Sequence, residues 1–100
     1  MKSLLIHPSA SRETNRAADY YDAQKAGLGR EYVAEVRRIF DEIQKQPEMS
    51  PRYRDTEFRF HLAHRFPYVV YFLELDDAIW VMAVAHGRRR PGYWRRRRVK

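Results

Sequence analysis

The residues able to do chemistry in this 100-residue chain crowd toward one end. Arg88, Arg89, Arg90, Arg95, Arg96, Arg97, Arg98 and Lys100 all lie beyond Asp77, and no acid accompanies them. The formal net charge is +7, and residues 1–77 carry 12 Lys/Arg against all 13 Asp/Glu, so the excess belongs entirely to the C-terminal stretch. A balanced body with a basic end implies an anionic partner: nucleic acid, an acidic protein segment, or both. The bland alternative is a solvated tail that keeps the chain soluble. Arginine argues for the partner, because guanidinium pairs bidentately with phosphate or carboxylate, whereas a solubility tail would use lysine as well.

His86 stands two residues before Arg88. An imidazole titrates near neutral pH and, beside a fixed cation, can pass a proton. The structural alternative is favoured: a half-buried histidine that ends a strand and bonds the arginine or a backbone carbonyl. Arg59 and Arg65 can supply charge but are poor bases, since guanidinium stays protonated. They serve either as ion-pair partners for Asp55, Glu57 or Glu74, or as anion contacts on an open sheet face. No metal site is expected. There is no cysteine, and His61 and His64, three residues apart on a strand, face opposite sides. No cofactor is expected either.

These residues need elements to position them. Lys2–His7 reads as a short strand with Leu4-Leu5-Ile6 as a buried run, ended by Pro8. Ala10, Thr14, Ala17, Ala18 and Tyr21 recur at helical spacing, with Ser9 or Ser11 as the cap. Gly27-Leu28-Gly29 permits a tight reversal. Leu28, Tyr32, Val36, Ile39, Phe40 and Ile43 then form the stripe of a second helix that Pro47 ends, giving an antiparallel helical hairpin. Pro47 to Asp55 reads as a polar loop. Phe58–Leu62, Tyr68–Glu74 and Ile79–His86 read as three strands with short connections, an antiparallel meander. The fold class is α+β, in the order β-α-α-β-β-β: a short N-terminal edge strand, a helical hairpin, a meander packed against it and an Arg-rich tail over 91–100. One domain over 1–100 is expected at this length. No apolar run approaches the roughly 20 residues of a membrane helix. Met1–Ile6 is too short for a signal peptide, so a cytoplasmic chain without a membrane partner is expected. If Pro91 opens a helix, Arg95–Arg98 fall in its last turn, where cations are favoured. Their mutual repulsion points to a tail without order until an acidic partner completes it. Trp94, among these arginines, can dock the tail on the sheet, stack a base or meet a partner. Tyr20, Tyr21, Tyr68 and Tyr71 follow the apolar periodicity and read as core and rim.

That order of elements, with Arg59, Arg65-Phe66-Pro67-Tyr68-Val69-Val70-Tyr71, Ala83-Val84-Ala85-His86-Gly87-Arg88-Arg89-Arg90-Pro91 and Trp94, resembles the RelE/ParE superfamily of type II toxins. His7-Pro8, Tyr20-Tyr21, Gly27-Leu28-Gly29 and Pro47 extend the resemblance over nearly the whole chain. It implies a bacterial toxin held in a hetero-oligomer by a cognate antitoxin, whose C-terminal segment covers and neutralises it. It implies one of two activities: RelE-like cleavage of messenger RNA on the ribosome, or ParE-like inhibition of DNA gyrase.

Cleavage through the 2′-hydroxyl needs a base, a cation beside the phosphorane and an acid for the leaving oxygen. RelE-like nucleases resemble one another in strand lysines, an arginine after the last strand and a tyrosine about six residues later. Arg88 matches that arginine. Trp94 stands where the tyrosine would be, and an indole N–H is neither acid nor base near neutral pH. Tyr93 is adjacent, but one helical step turns a side chain by about 100°. No lysine lies between Lys45 and Lys100. If the chain were a nuclease its machinery would be Arg59, Arg65, His86, Arg88 and Tyr93. The departures favour the ParE-like branch, with Arg88, Arg89, Arg90, Trp94, Arg95, Arg96, Arg97 and Arg98 as the surface for target or antitoxin. A third reading is a basic nucleic-acid-binding module without toxicity.

Overall fold

The fold is described from a computed structural model over residues 1–99; Lys100, the last residue of the Arg-rich tail, lies outside the described residues. The elements are β1 (Ser3–Ile6), α1 (Pro8–Gln24), α2 (Leu28–Lys45), a 3-10 turn (Pro47–Met49), β2 (Arg59–Leu62), β3 (Tyr68–Glu74) and β4 (Ala78–His86). They form one four-stranded sheet in the order β1-β4-β3-β2. β2, β3 and β4 make the expected antiparallel meander. β1 joins parallel to β4, with Ser3 opposite Ala78 and Ile6 opposite Val81, so the sheet is mixed. A parallel pair needs a crossover, and the helical hairpin begins it.

Each helix starts for a local reason. Pro8 occupies the first turn of α1, where its missing N–H costs nothing. The cap is neither Ser9 nor Ser11 but His7, whose Nδ1 accepts from the Ser9 N–H at 3.0 Å. Gly27 takes φ 89°, which disfavours a side chain. Gly29 is needed for space, since a Cβ there would lie 2.3 Å from the Ala18 carbonyl oxygen. Asp22 accepts from the Gly29 N–H at 2.7 Å and pins the reversal.

The sheet buries both faces. Under the helices, Tyr32, Val36, Ile39 and Ile43 of α2 and Ala10 and Ala17 of α1 meet Val70, Phe72, Ile79, Val81 and Val84. The α2 stripe read from the sequence is the buried one, with Leu28 and Phe40 half-buried at its margin. On the opposite face Tyr53, Met82, Ala83 and Trp94 form a second core, flanked by Phe58, Phe60, Tyr71, Leu73, Trp80, Tyr93 and Val99. The stretch Pro47–Asp55 is therefore more than a polar loop: Ser50 and Tyr53 are buried. Opposite Tyr71 the β4 register jumps from Ala83 to Val81, which leaves Met82 without a β3 partner. This bulge lets Met82 and Ala83 both join the second core.

Two local expectations need correction. Leu4-Leu5-Ile6 is not a buried run: Leu5 is 41% and Ile6 37% exposed, because β1 is an edge strand with one neighbour and little above it. Over its described residues the tail forms no helix. Residues 91–96 are successive turns, closed by Tyr93 N–H to Arg90 O, Arg95 N–H to Gly92 O and Arg97 N–H to Trp94 O. The tail is packed rather than loose, since Trp94 is fully buried.

Candidate functional site

β4 outruns β1. Its pairing with β1 ends at Val81, whose carbonyl accepts from the His7 N–H at 2.9 Å. The following five residues have no strand along that edge. Bare edge groups must still find partners, and here side chains supply them. Glu13 of α1 accepts from the Val84 N–H at 3.0 Å. Arg97 of the tail donates to the Met82 carbonyl, freed by the bulge, at 2.9 Å. The two close on each other: Arg97 donates to Glu13 Oε1 at 3.1 Å and to Oε2 at 2.7 Å. The Tyr93 hydroxyl donates to Glu13 Oε2 at 2.5 Å. An ion pair thus completes the sheet edge where a strand would otherwise run.

The pair is largely buried, with side chains 18% exposed for Arg97 and 14% for Glu13. Burial pushes the Glu13 carboxyl up, but the bonds from Arg97, Tyr93 and Val84 outweigh it and hold the group below the usual carboxylate range. Burial, then the bond to Glu13, push the Tyr93 hydroxyl well above its ordinary value. Burial pulls the Arg97 guanidinium down, and Glu13 more than restores it, leaving it above its ordinary value.

The tail arginines therefore divide. Arg97 is structural in the free chain, and so is Trp94. The indole stacks on Tyr71 at 4.4 Å between ring centres and meets Phe58 edge-on at 4.8 Å and Tyr53 at 5.3 Å. Of the three roles open to Trp94, docking the tail is the one the fold uses. Arg88, Arg89, Arg90, Arg95, Arg96 and Arg98 are exposed. Arg89 is held all the same, with its guanidinium 3.9 Å from the centre of the Tyr93 ring.

His86 is half-buried at the end of β4, edge-on to Tyr68 at 5.2 Å. Its Nδ1 accepts from the Arg88 backbone N–H at 3.0 Å, so it closes the turn through the backbone and not through the arginine side chain or a carbonyl. Arg59 and Arg65 make none of the expected ion pairs. Arg59 donates to the Ser50 carbonyl at 2.6 Å. Arg65 pairs with Glu31 of α2 at 2.8 Å, next to Glu35, which accepts from the His64 and Arg65 N–H groups at 2.6 and 3.0 Å. Glu74 belongs to Lys2, at 2.9 Å. Arg59 lies on the strand at the far edge of the sheet from β1, and Arg65 turns toward α2, so the five nuclease candidates are not gathered into one group. His61 faces Glu42 at 3.1 Å. Among the described residues no three His, Asp or Glu side chains gather as a metal would require, and no helix is long and apolar enough to cross a membrane.

What the sequence did not flag is α1. Glu13 locks the tail, and Arg12, Arg16 and Tyr20 line the seam between α1 and the β4–tail segment. The available signal was the i,i+4 pair Arg12–Arg16 beside a lone Glu on the polar face of α1.

A family profile described as "ParE toxin of type II toxin-antitoxin system, parDE" matches residues 4–91. The segment with Trp94 and Arg95–Arg98 lies beyond the matched residues. Among solved structures, a chain described as "Chromosomal ParDE TA system from P. aeruginosa" is similar, with TM-score 0.67 and 15% sequence identity over 86% of this chain and 96% of that one. At that identity the likeness is one of fold. No significant match is found among curated proteins.

Proposed function

This chain belongs to the family of ParE toxins of type II toxin–antitoxin systems, and from that premise we propose that it arrests growth by binding and inhibiting DNA gyrase, not by cutting RNA. The observation that carries the choice is Trp94. It stands where RelE-like nucleases have a tyrosine, its indole has no usable acid or base, and it is fully buried. The neighbouring Tyr93 is no substitute, since its hydroxyl is committed to Glu13 and pushed up by burial. What remains on the surface is recognition chemistry: exposed guanidiniums at Arg88, Arg89, Arg90, Arg95, Arg96 and Arg98.

The same surface suits a cognate antitoxin. An acidic segment laid over these arginines would neutralise the toxin and make a hetero-oligomer. One feature favours the second reading, ribosome-dependent cleavage of messenger RNA: Arg88 is exposed beside His86, at the position of the nuclease arginine. A side-by-side assay separates the two. The purified protein is expected to inhibit supercoiling by gyrase and to release no RNA fragments from programmed ribosomes. Fragments without gyrase inhibition would establish the nuclease reading instead. Neither effect, together with normal growth on verified soluble expression, would leave the non-toxic basic module.

A further inference from the structure

The seam between α1 and the far end of β4 holds more charge than the fold consumes. Two hollows of about 200 Å³ each lie along it, sharing Glu13, Arg16 and Arg89 as lining. Arg12 extends the lining on the α1 side and Arg97 on the tail side. Glu13 is the one carboxylate among the lining residues, and it is saturated by Arg97, Tyr93 and Val84. Arg12 reaches only the Ser9 hydroxyl, at 3.0 Å. Among the described residues, Arg12, Arg16 and Arg89 form no ion pair.

The site is also built. Tyr93 cannot turn freely, because its hydroxyl is bonded to a buried carboxylate, and its ring carries Arg89. Arg12 and Arg16 are one turn apart on a regular helix, about 6 Å along its axis. Tyr20, one further turn along, is 59% exposed and lines the second hollow, so its ring is open to stacking.

We propose that this seam is a phosphodiester site that takes the backbone of a nucleic-acid strand, with Arg12, Arg16 and Arg89 on successive phosphates and Tyr20 against a base. A strand carries a negative charge at every repeat, so it can meet several guanidiniums gathered along one seam. An acidic peptide carries charge only where its acids fall, and it offers no base to stack on the exposed ring. The seam shares Arg89 with the surface proposed for the target, but Arg12, Arg16 and Tyr20 lie outside that surface and the test uses no gyrase, so either reading can fail alone.

The test is binding of a short fluorescent oligothymidylate to the full chain across a salt series, with polyglutamate as the competing class. Arg12→Gln/Arg16→Gln is expected to weaken oligothymidylate binding roughly tenfold or more and to flatten the salt slope by about 1.4, the share of two single-strand phosphate contacts. Arg89→Gln alone, in the turn after β4 and not on the helix, is expected to weaken it in the same direction. Arg30→Gln/Arg37→Gln removes equal charge from exposed positions of α2 outside the seam and is expected to change binding by about twofold at most, because screened distant charge contributes little. All substituted residues are exposed, so melting is expected to match the parent. Equal losses from the two double variants would mean diffuse attraction and overturn the site. Seam-dependent binding of polyglutamate with oligothymidylate unaffected would overturn the ligand class. No oligothymidylate binding by the parent would overturn the proposal outright.

Discussion

The two faces of the sheet are closed in different ways. One is covered by 35 helical residues of α1 and α2, whose apolar stripes recur turn after turn. The other is covered by the Pro47–Phe58 segment and by a tail with few apolar anchors, Trp94 foremost. Redundant burial spreads stability over many residues. A plug concentrates it in one side chain and in the Glu13–Arg97 pair beside it. The second arrangement also ties folding to function, because the residues that seat the tail set the positions of its exposed arginines.

The largest expected effect breaks the helix-covered face. Val36 is 2% exposed in the centre of the α2 stripe. Val36→Asp buries an unpaired carboxylate at a cost of several kcal/mol, against a total stability of about 5–15 kcal/mol. Far-UV circular dichroism is expected to show no cooperative melt. Phe40→Asp, at the half-buried margin of the same stripe, is expected to cost less because its carboxylate can reach water. Equal loss at both positions would mean that α2 tolerates no charge along its whole inner side.

The tail-covered face comes next. Trp94→Ala is expected to cost about 3–5 kcal/mol, the range for deleting a buried aromatic. Read from sequence, the tail is removable: truncation after Pro91 leaves every strand intact. In the folded chain the same truncation uncovers Tyr53, Tyr71, Met82 and Ala83. It is expected to lower the melting temperature at least as much as Trp94→Ala, so lost toxicity in a truncated chain would not by itself locate a binding site. A truncated chain melting like the parent would show that the second core does not need its plug.

How far the sequence could be read follows the same division. α2 is legible because burial on one side of a regular helix imposes a 3.6-residue period, and Tyr32, Val36, Ile39 and Ile43 carry it. β3 and β4 are legible as apolar runs, since strands buried on both faces lose their alternation. β1 is legible as a short edge strand but not in its exposure, because three apolar residues in a row read as buried although an edge strand has a neighbour on one side only. The tail has no period at all. A tryptophan among arginines carries no mark of its partners, and the acid that selects Arg97 from its neighbours lies 84 residues away. The candidate site was thus legible as a charge block, while its split into seated and free arginines required the fold.

The Glu13 network sharpens the comparison through pH. Glu13 is held below its ordinary value of 4.5 in the folded chain. A depressed carboxylate contributes stability that is present above the unfolded value and is lost as pH falls through the folded one. Acidification below about pH 4.5 is therefore expected to loosen the tail-covered face first. Tyr21, Tyr32, Tyr68, Tyr71 and Tyr93 are all raised above 10.0, chiefly by burial. The unfolded chain loses these protons first, so stability falls as pH climbs past 10.0, on both faces together. Hydrogen exchange at Val84 against that at the core of α2 reads the two cases apart. Glu13→Gln is expected to cost about 2 kcal/mol, the scale of a hydrogen bond to a charged group, and to flatten the acid limb. An unchanged acid limb would assign it to another carboxylate.

The smallest expected effect isolates burial as the cause. Arg38–Glu42 on α2 is shorter than Arg97–Glu13, at 2.6 against 2.7 Å. Distance alone would make it the stronger. Its side chains, however, are 44% and 46% exposed, so water and salt screen the attraction and each partner remains solvated when the other is removed. Arg38→Ala is expected to cost about 0.3–0.5 kcal/mol, and less as salt is raised. Arg97→Ala strands a buried carboxylate and leaves the Met82 carbonyl without its donor, and is expected to cost about 3–5 kcal/mol with little dependence on salt. The ratio between the two losses tests the claim that the tail-covered face rests on few, buried contacts. If Arg97→Ala proved as mild as Arg38→Ala, water would be reaching Glu13, and the sheet edge would be closed by solvent and not by the tail.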